Sequence, residues 1–267
     1  MEHQFNDEKF EKYYNLLIET NAKFNLTAIT ERDEVCTKHF IDSLAISRYI
    51  PNGAMVADIG SGAGFPGIPL AITRPDCKFT LIDSLNKRVT FLKDVSAQLG
   101  LVNVSAIHAR AEDLGRSSEM REGFDVVVSR AVSNMRVLAE LSLPLVKVGG
   151  CVIAMKGPEP EDELELSRDL IIRLGGDNIS IKKYCLPELD QLNELQIDTE
   201  CKIISSVPSA SAGASNKHAK GECAEGGVSC NKGDENARDK IIHSVVIISK
   251  TAATPKNYPR VAKNLGK

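Results

Sequence analysis

The amino-acid sequence predicts an α/β protein built on a mostly parallel sheet. From about residue 55 to residue 175, short apolar runs of strand length alternate with stretches of helical spacing, the pattern of βαβ units around a buried sheet. The first of these runs leads directly into a Gly-rich turn that opens a helix. Near the C-terminus, strand-like runs follow one another with no helical segment between the last two, which predicts a closing antiparallel hairpin.

The residues before the first strand are predicted to form an N-terminal helical cap, assigned to residues 1–50. A first helix is indicated by apolar side chains at the i, i+3, i+4, i+7 and i+8 positions of an amphipathic pattern, namely Phe10, Tyr13, Tyr14, Leu17 and Ile18. A second helix is predicted over residues 31–49. Because both helices precede the first strand, we expect them to cap the α/β domain.

The α/β domain is assigned to residues 51–250, and the chain length suits one large domain of this class. Its first five strands are predicted at 55–58, 79–83, 104–108, 125–129 and 151–155, with helices at 66–73, 87–99, 133–146 and 161–174. Three more strands are predicted at 179–186, 200–207 and 240–249, and the last two of these form the arms of the hairpin.

Residues 208–239, between those arms, are predicted to be a disordered insert. They are rich in Ser, Ala, Gly, Asn and charged residues, with one Val and no Phe, Tyr or Trp. Burial of apolar surface cannot offset the entropy of ordering such a segment. Cys223 and Cys230 within it lack the paired spacing of a zinc site, and no metal is predicted.

Composition indicates a cytoplasmic protein without a membrane segment. Hydrophobic residues make up 42% of the chain and charged residues 26%, which is ordinary for a soluble globular protein. The N-terminus is polar and acidic, and no apolar run is long enough to span a bilayer. The 7 cysteines are scattered and odd in number, which suits reduced thiols.

The net charge of −3 conceals a basic C-terminal tail, assigned to residues 251–267. Residues 250–267 contain 5 basic side chains and no acidic one. Such a segment can contact RNA phosphates even in a chain of negative total charge, with Lys256, Arg260 and Lys263 as candidates. A solvated tail explains the same charges equally well.

The Gly-rich turn carries the clearest chemical signal, Asp58-Ile59-Gly60-Ser61-Gly62-Ala63-Gly64-Phe65-Pro66-Gly67. Glycines let the backbone turn sharply and let a ligand approach without meeting a Cβ. Pro66 suits the first turn of a helix, where its missing N–H is no loss. A cofactor is therefore expected against Gly60 and Gly62 at the carboxyl ends of the strands, with Asp58 anchoring the turn.

The turn alone is compatible with two cofactors. Gly60-x-Gly62-x-Gly64 after an acidic residue is the form found in S-adenosylmethionine-dependent methyltransferases. Gly62-x-Gly64-x-x-Gly67 also satisfies the dinucleotide-binding fingerprint. Asp83 lies 21 residues beyond Gly62, at the end of the second predicted strand, and both interpretations assign it to ribose hydroxyls.

Residues after the later strands favour S-adenosylmethionine. Ala111 and Glu112 follow the third strand, where methyltransferases hold the adenine ring. Arg130 and Lys156 end the fourth and fifth strands, so each is expected at the mouth of the cleft, and we predict both as catalytic cations. A rim ion pair is the alternative for each. The closing hairpin also suits a methyltransferase sheet, whereas a dehydrogenase normally adds a substrate domain.

Several segments make this sequence resemble the RsmG (GidB) family. They are Asn25-Leu26-Thr27, His39-Phe40-Ile41-Asp42-Ser43-Leu44, the Gly-rich turn continued through Ile68-Pro69-Leu70, Leu81-Ile82-Asp83-Ser84-Leu85-Asn86-Lys87-Arg88, Ser129-Arg130-Ala131 and Thr254-Pro255-Lys256-x-Tyr258-Pro259-Arg260. The resemblance runs from about residue 6 to 207 and resumes at 240, with the insert as the main departure.

This resemblance implies a Rossmann-like methyltransferase fold, with S-adenosylmethionine as cofactor and 16S ribosomal RNA or the small ribosomal subunit as partner. Family members methylate N7 of a guanine in a conserved loop of that RNA. The resemblance also implies that Gly60, Phe65, Ala111, Glu112 and Arg130 contact the cofactor. Because guanine N7 carries an available lone pair, we expect catalysis by positioning and nominate no general base.

Two other functions stay open on sequence alone, a methyltransferase acting on a protein or small molecule and a non-catalytic nucleotide-binding factor in ribosome assembly. His39 and Asp42 are one helical turn apart and share a face, so they either close the site over RNA or serve structure. Asn25 is either functional or a cap or turn residue. We expect a monomer.

Overall fold

The computed structural model describes residues 8–186, 206–207 and 242–266, and within them eight strands form one mixed sheet. In chain order the strands are β1 (Met55–Ile59), β2 (Lys78–Asp83), β3 (Val104–His108), β4 (Phe124–Arg130), β5 (Val146–Lys156), β6 (Gly176–Cys185), β7 (Ser206–Val207) and β8 (Ile242–Lys250). In space their order is β3-β2-β1-β4-β5-β8-β6-β7.

Helices pack on both faces of the sheet. They are α1 (Glu8–Asn21), α2 (Arg32–Val35), α3 (Asp42–Leu44), α4 (Gly67–Thr73), α5 (Asn86–Gln98), α6 (Ala111–Leu114), α7 (Met135–Ser142), α8 (Glu161–Glu165) and α9 (Arg168–Arg173). The segment Cys36–Ile41 joins α2 to α3 as a π-helix, whose turns are wider than α-helical turns. Short 3₁₀ turns occupy Ser47–Tyr49 and Ala262–Asn264.

The parallel strands β3-β2-β1-β4-β5 confirm the predicted Rossmann-like α/β class. In β1 the consecutive residues Val56 through Ile59 are all buried, because helices cover both faces of the sheet. The chain order reverses between β1 and β4, so the connections leaving these strands diverge. In open α/β sheets this divergence opens a crevice at the carboxyl ends of the strands, where ligands bind.

Antiparallel strands close the C-terminal side as predicted, but the predicted pairing of residues 200–207 with 240–249 is wrong. β8 lies between β5 and β6 and is antiparallel to both. Ser206–Val207 pairs with the far edge of β6. The physical reason is burial: Val245, Val246 and Ile248 are almost fully buried, which is typical of a strand in the interior of a sheet covered on both faces.

The predicted insert, residues 208–239, lies outside the described residues. In the sheet, β6 lies between β7 and β8, so the two predicted hairpin arms are not neighbours.

The N-terminal helices share a hydrophobic core with the sheet. Tyr13, Leu17 and Phe40 are almost fully buried against side chains of α4, α5 and one face of the sheet. Side chains of α7 and α9 form a second core on the opposite face. The division into a cap, a main domain and a tail stays a prediction. Among the described helices, none combines the length and apolar character needed to span a membrane.

The C-terminal tail packs against α7 and is not a free basic segment. Glu140 of α7 has a fully buried side chain, and it accepts hydrogen bonds from the Arg260 guanidinium at 2.6 and 2.8 Å. Its carboxylate also accepts from the backbone N–H of Gly266 at 3.0 Å. From the adjacent loop, Arg121 donates to the carbonyl oxygens of Thr254 and Tyr258.

These contacts explain why the count of basic residues overstates how many cations of the tail are exposed. Arg260 is committed to Glu140, and Lys250 is buried, with Nζ 2.8 Å from the carbonyl oxygen of Leu143. Lys256 and Lys263 are exposed. Of the three cations predicted to contact phosphates, two are therefore exposed, and their contact with phosphates stays a prediction.

The Arg260–Glu140 pair predicts a stability defect in the Arg260→Gln variant. Removing the guanidinium leaves a buried carboxylate without its cation, so we expect the free energy of unfolding to fall by about 3 kcal/mol. The exposed Lys256→Gln control should stay within about 0.5 kcal/mol of wild type. Urea titration measures both, and equal stabilities for the two variants would contradict the assignment.

Candidate active site

The Gly-rich turn after β1 is held against the end of β2 by backbone hydrogen bonds. The N–H groups of Gly60 and Ser61 donate to the carbonyl oxygen of Ile82, at 2.8 and 3.1 Å. The N–H of Gly62 donates to Asp83 Oδ2 at 2.9 Å. Gly60, Gly62 and Gly64 have φ angles of 69°, 59° and 100°, which are left-handed conformations that favour glycine.

Three glycines of the turn are needed for packing, and one faces open space. A Cβ on Gly60 would lie 2.7 Å from Val132, one on Gly64 2.6 Å from the Tyr13 hydroxyl, and one on Gly67 2.7 Å from Asp58 Oδ2. A Cβ on Gly62 would meet only the Gly60 carbonyl oxygen, at 3.8 Å. Gly62 therefore marks the side from which a ligand can approach the backbone.

Asp58 lies beneath the turn as predicted. Its side chain is fully buried, Oδ2 accepts the Gly67 N–H at 3.0 Å, and Oδ1 has no hydrogen-bond partner among the described residues. Burial raises the pKa of this carboxyl to about 7. Asp58 thus fixes the start of α4.

Two further carboxylates lie at the same edge of the sheet. Asp83 ends β2 and is almost fully buried; Oδ1 accepts the Leu85 N–H at 2.9 Å, and Oδ2 accepts from Gly62. Glu112 lies in α6, directly after β3, and is also buried, with Arg110 3.6 Å away. The open face of Gly62 flanked by these acids fits an adenosyl ligand, whose ribose hydroxyls and adenine amine donate hydrogen bonds.

Arg130, at the end of β4, reaches across the edge to the N-terminal helices. Its Nη1 donates to the carbonyl oxygen of Lys38 and to Asp42 Oδ2, both at 3.1 Å. Its Nη2 lies 3.2 Å from His39 Nδ1, and the guanidinium stands 4.8 Å from the centre of the Phe65 ring. Arg130 and Phe65 therefore lie beside His39 and Asp42, the two residues predicted to share one face of a helix.

His39 lies within this cluster and is uncharged at neutral pH. Its ring stacks on Phe65 at 4.5 Å, and Nε2 lies 2.8 Å from Thr27 Oγ1. Burial, followed by the charge of Arg130, lowers the His39 pKa to about 4. Nδ1 faces Arg130 Nη2, which can only donate, and the Lys38 carbonyl oxygen at 3.1 Å, which can only accept, so Nδ1 has a hydrogen-bond partner in either neutral tautomer.

Lys156 forms an ion pair, the contact named as the alternative to a catalytic role. Its Nζ donates to the carbonyl oxygen of Ser133 at 2.7 Å and to Glu163 at 2.9 Å, and the side chain is largely buried. Glu163 also accepts the N–H of Met135, at the start of α7. These contacts hold the loop after β4, and a catalytic role for Lys156 stays a prediction.

Sequence reasoning missed two residues that complete the Arg130 cluster. Tyr184 and His243 both contact Asp42 Oδ1, at 2.7 and 3.1 Å. Neither lies in a recognisable motif, and their proximity follows from the position of β8 beside β6. The available signal was an aromatic residue and a histidine near the ends of predicted strands. Asn25 is exposed on the loop before α2, where no catalytic contact is assigned to it.

Metal chemistry has no donor set among the residues that the structure describes. Within them, no group of three or more His, Cys, Asp or Glu side chains is placed to hold a metal ion.

The strand order, the turn at the switch point and the acids after β2 and β3 define a Rossmann-like, S-adenosylmethionine-dependent methyltransferase. A family model described as rRNA small subunit methyltransferase G matches residues 6–190. The chain belongs to this family.

Curated relatives with the name ribosomal RNA small subunit methyltransferase G agree with this membership. The protein of Desulforamulus reducens is 50% identical over 76% of this chain and 86% of its own length. That of Clostridium perfringens strain 13 is 40% identical over 99% of this chain and 92% of its own length. Among solved structures, a SAM-dependent O-methyltransferase from Thermotoga maritima matches with a TM-score of 0.48 and 13% identity, over 90% of this chain and 72% of that one.

Burial of Asp58 predicts a pH dependence of stability. Its folded pKa of about 7 exceeds the ordinary value of 3.8, so between these pH values the unfolded chain loses the proton first. The free energy of unfolding therefore falls as pH rises through this window. Asp58→Asn keeps an acceptor for Gly67 and removes the ionisation, so wild type should lose roughly 4 kcal/mol relative to the variant.

Urea titrations between pH 4 and pH 8 on ligand-free protein test this expectation. The exposed Asp94→Asn is a matched control, which should keep the wild-type profile. Parallel pH profiles for wild type and Asp58→Asn would show that Asp58 is ionised throughout.

Proposed function

We propose that this protein transfers a methyl group from S-adenosylmethionine to N7 of a guanine in the 16S ribosomal RNA of the small subunit. Family membership supports the substrate class, because the relatives are named for a ribosomal RNA small subunit. When bound, the cofactor supplies an electrophilic methyl group. The bacterial relatives point to action in the cytoplasm, and we propose a monomer.

The state of His39 and Asp42 is the observation that supports this chemistry best. Both ring nitrogens of His39 are engaged, and its pKa of about 4 makes it a poor base at neutral pH. Both oxygens of Asp42 accept hydrogen bonds from the protein. A site edge at which His39 and Asp42 are both held by contacts within the protein suits guanine N7, which needs no deprotonation, better than a protonated amine or a hydroxyl.

The residues of this protein then contribute to catalysis by positioning the two reactants. Gly62 and Asp83 hold the nucleoside part of the cofactor, with Glu112 at its adenine edge. We assign Arg130 to an anionic group of the cofactor or the RNA, because the described residues provide no acceptor for its Nε–H. Lys156 acts by keeping the loop after β4 in place. Holding two reactants in line and in contact contributes most of the rate enhancement in such a transfer.

The test is transfer of a labelled methyl group to isolated small subunits or naked 16S RNA. We expect label in RNA, at a guanine that becomes sensitive to reduction and aniline cleavage, as N7-methylguanine is. RNA transcribed with 7-deazaguanine lacks the nucleophile and should stay unlabelled. Label in protein or in a small molecule would favour another methyltransferase, and cofactor binding without transfer would favour a non-catalytic assembly factor.

The Asp83 carboxylate is expected to contribute to the affinity for the cofactor. Asp83→Ala should weaken S-adenosylmethionine by about 10- to 100-fold, because a hydrogen bond to a charged group contributes roughly 1.5–3 kcal/mol. Asp94→Ala, on the exposed face of α5, should leave the affinity unchanged. Isothermal titration measures both, and wild-type affinity in Asp83→Ala would remove this residue from the site.

A further inference from the structure

We propose that Asp42 is a positioning residue for Arg130, and that Tyr184 of β6 and His243 of β8 in turn fix Asp42. The proposal rests on the proposed function in one respect, the assignment of Arg130 to an anionic group of cofactor or RNA. It adds a role for the two antiparallel strands at the C-terminal side of the sheet, which otherwise lie apart from the Gly-rich turn.

The two oxygens of the Asp42 carboxylate have different partners. Oδ2 faces Arg130 Nη1 at 3.1 Å, while Oδ1 accepts from the Tyr184 hydroxyl at 2.7 Å and from His243 Nδ1 at 3.1 Å. The Asp42 side chain is 4% exposed, so water does not compete with these donors. Movement of either donor would therefore be transmitted to the Arg130 side of the carboxylate.

The register of the sheet makes this arrangement possible. Tyr184 and His243 are direct partners across the antiparallel β6–β8 pair, and their rings lie 5.5 Å apart. Two donors on neighbouring strands can thus reach the same oxygen. The pairing depends on β8 lying between β5 and β6, because a β8 at the sheet edge beyond β7 would carry His243 away from Asp42.

Arg130 receives a defined orientation from this set of contacts. Asp42 and the Lys38 carbonyl take both hydrogens of Nη1, neutral His39 faces Nη2, and the guanidinium carbon lies over the Phe65 ring. A planar group held at its edge and its face keeps few rotamers, so its remaining N–H groups point in a fixed direction.

The electrostatics of Asp42 agree with this role. Burial alone would raise its pKa, but the hydrogen bond from His243, the charge of Arg130 and the hydrogen bond from Tyr184 hold the pKa below its ordinary value. The carboxylate is therefore ionised. A buried ion pair contributes little stability over a well-packed apolar pair, so the geometry of the Arg130 guanidinium is the property that Asp42 affects most.

A double-mutant cycle on the full-length protein tests the proposal. Asp42→Asn and Arg130→Met are made singly and together, and KM for cofactor, KM for RNA and kcat are measured. We expect Arg130→Met to impair one of these parameters by tenfold or more, and Asp42→Asn to impair the same one by about tenfold. In the Arg130→Met background, Asp42→Asn should change that parameter by less than about twofold, because Asp42 acts only through Arg130.

Conservative variants and a control separate positioning from stability. Tyr184→Phe keeps the ring and removes one donor, so it should shift the same parameter by a few fold while the protein stays folded by thermal unfolding. Asp33→Asn, a matched substitution at an exposed position of α2, should match wild type. If the double variant fails to fold, Tyr184→Phe with and without Arg130→Met provides the same comparison.

The outcomes distinguish the positioning role of Asp42 from the proposed function on which it rests. Wild-type kinetics in Arg130→Met would overturn the role of Arg130 in the proposed function. A defect in Arg130→Met with equal, additive effects of Asp42→Asn in both backgrounds would leave that function standing and overturn the positioning role. A variant that changes the melting temperature and none of the kinetic parameters would show a purely structural pair.

Discussion

The attachment of the Gly-rich turn to the end of β2 is the interaction on which the candidate site depends. One carbonyl oxygen, of Ile82, holds two N–H groups of the turn, and one carboxylate, of Asp83, holds a third together with the N–H of Leu85. The parallel register that pairs Ile59 with Ile82 brings these groups into reach. The same carboxylate therefore fixes the backbone of the turn, starts the loop into α5 and faces the proposed ribose site.

Features that follow a parallel strand directly were predictable from the sequence. Asp58, Asp83 and Glu112 each lie at the carboxyl end of a strand or just beyond it, and such ends meet at one edge of the sheet. Local pattern was enough to place them together. The cluster around Arg130 was not predictable in this way, because Tyr184 and His243 reach Asp42 only through the antiparallel order of β6 and β8. A hairpin between sequential strands is the default expectation, and β8 departs from it.

The tail shows how a charge pattern misleads when its partners are distant. Arg260 appeared among five basic residues with no nearby acid, yet Glu140 lies 120 residues earlier and is fully buried. The available signal was in α7, where one glutamate stands among Leu138, Ala139 and Leu141 on a helix with a buried face. A lone acid in an apolar helix needs a cation, and the only remaining question was which part of the chain supplies it.

Buried ions connect the two chain ends to the sheet in this protein. Arg130 and Asp42 join β4 to the N-terminal helices, and Arg260 and Glu140 join the tail to α7. Lys250, whose pKa burial lowers to about 8, donates to the carbonyl oxygens at the ends of α7 and α9. Such groups add little net stability, but displacing one partner leaves an unpaired charge in the interior at a cost of several kcal/mol. The helices and tail are therefore held at a single register on the sheet, and apolar contacts alone would tolerate small shifts. The edge that carries the Gly-rich turn keeps its shape because the segments around it cannot slide without separating these charges.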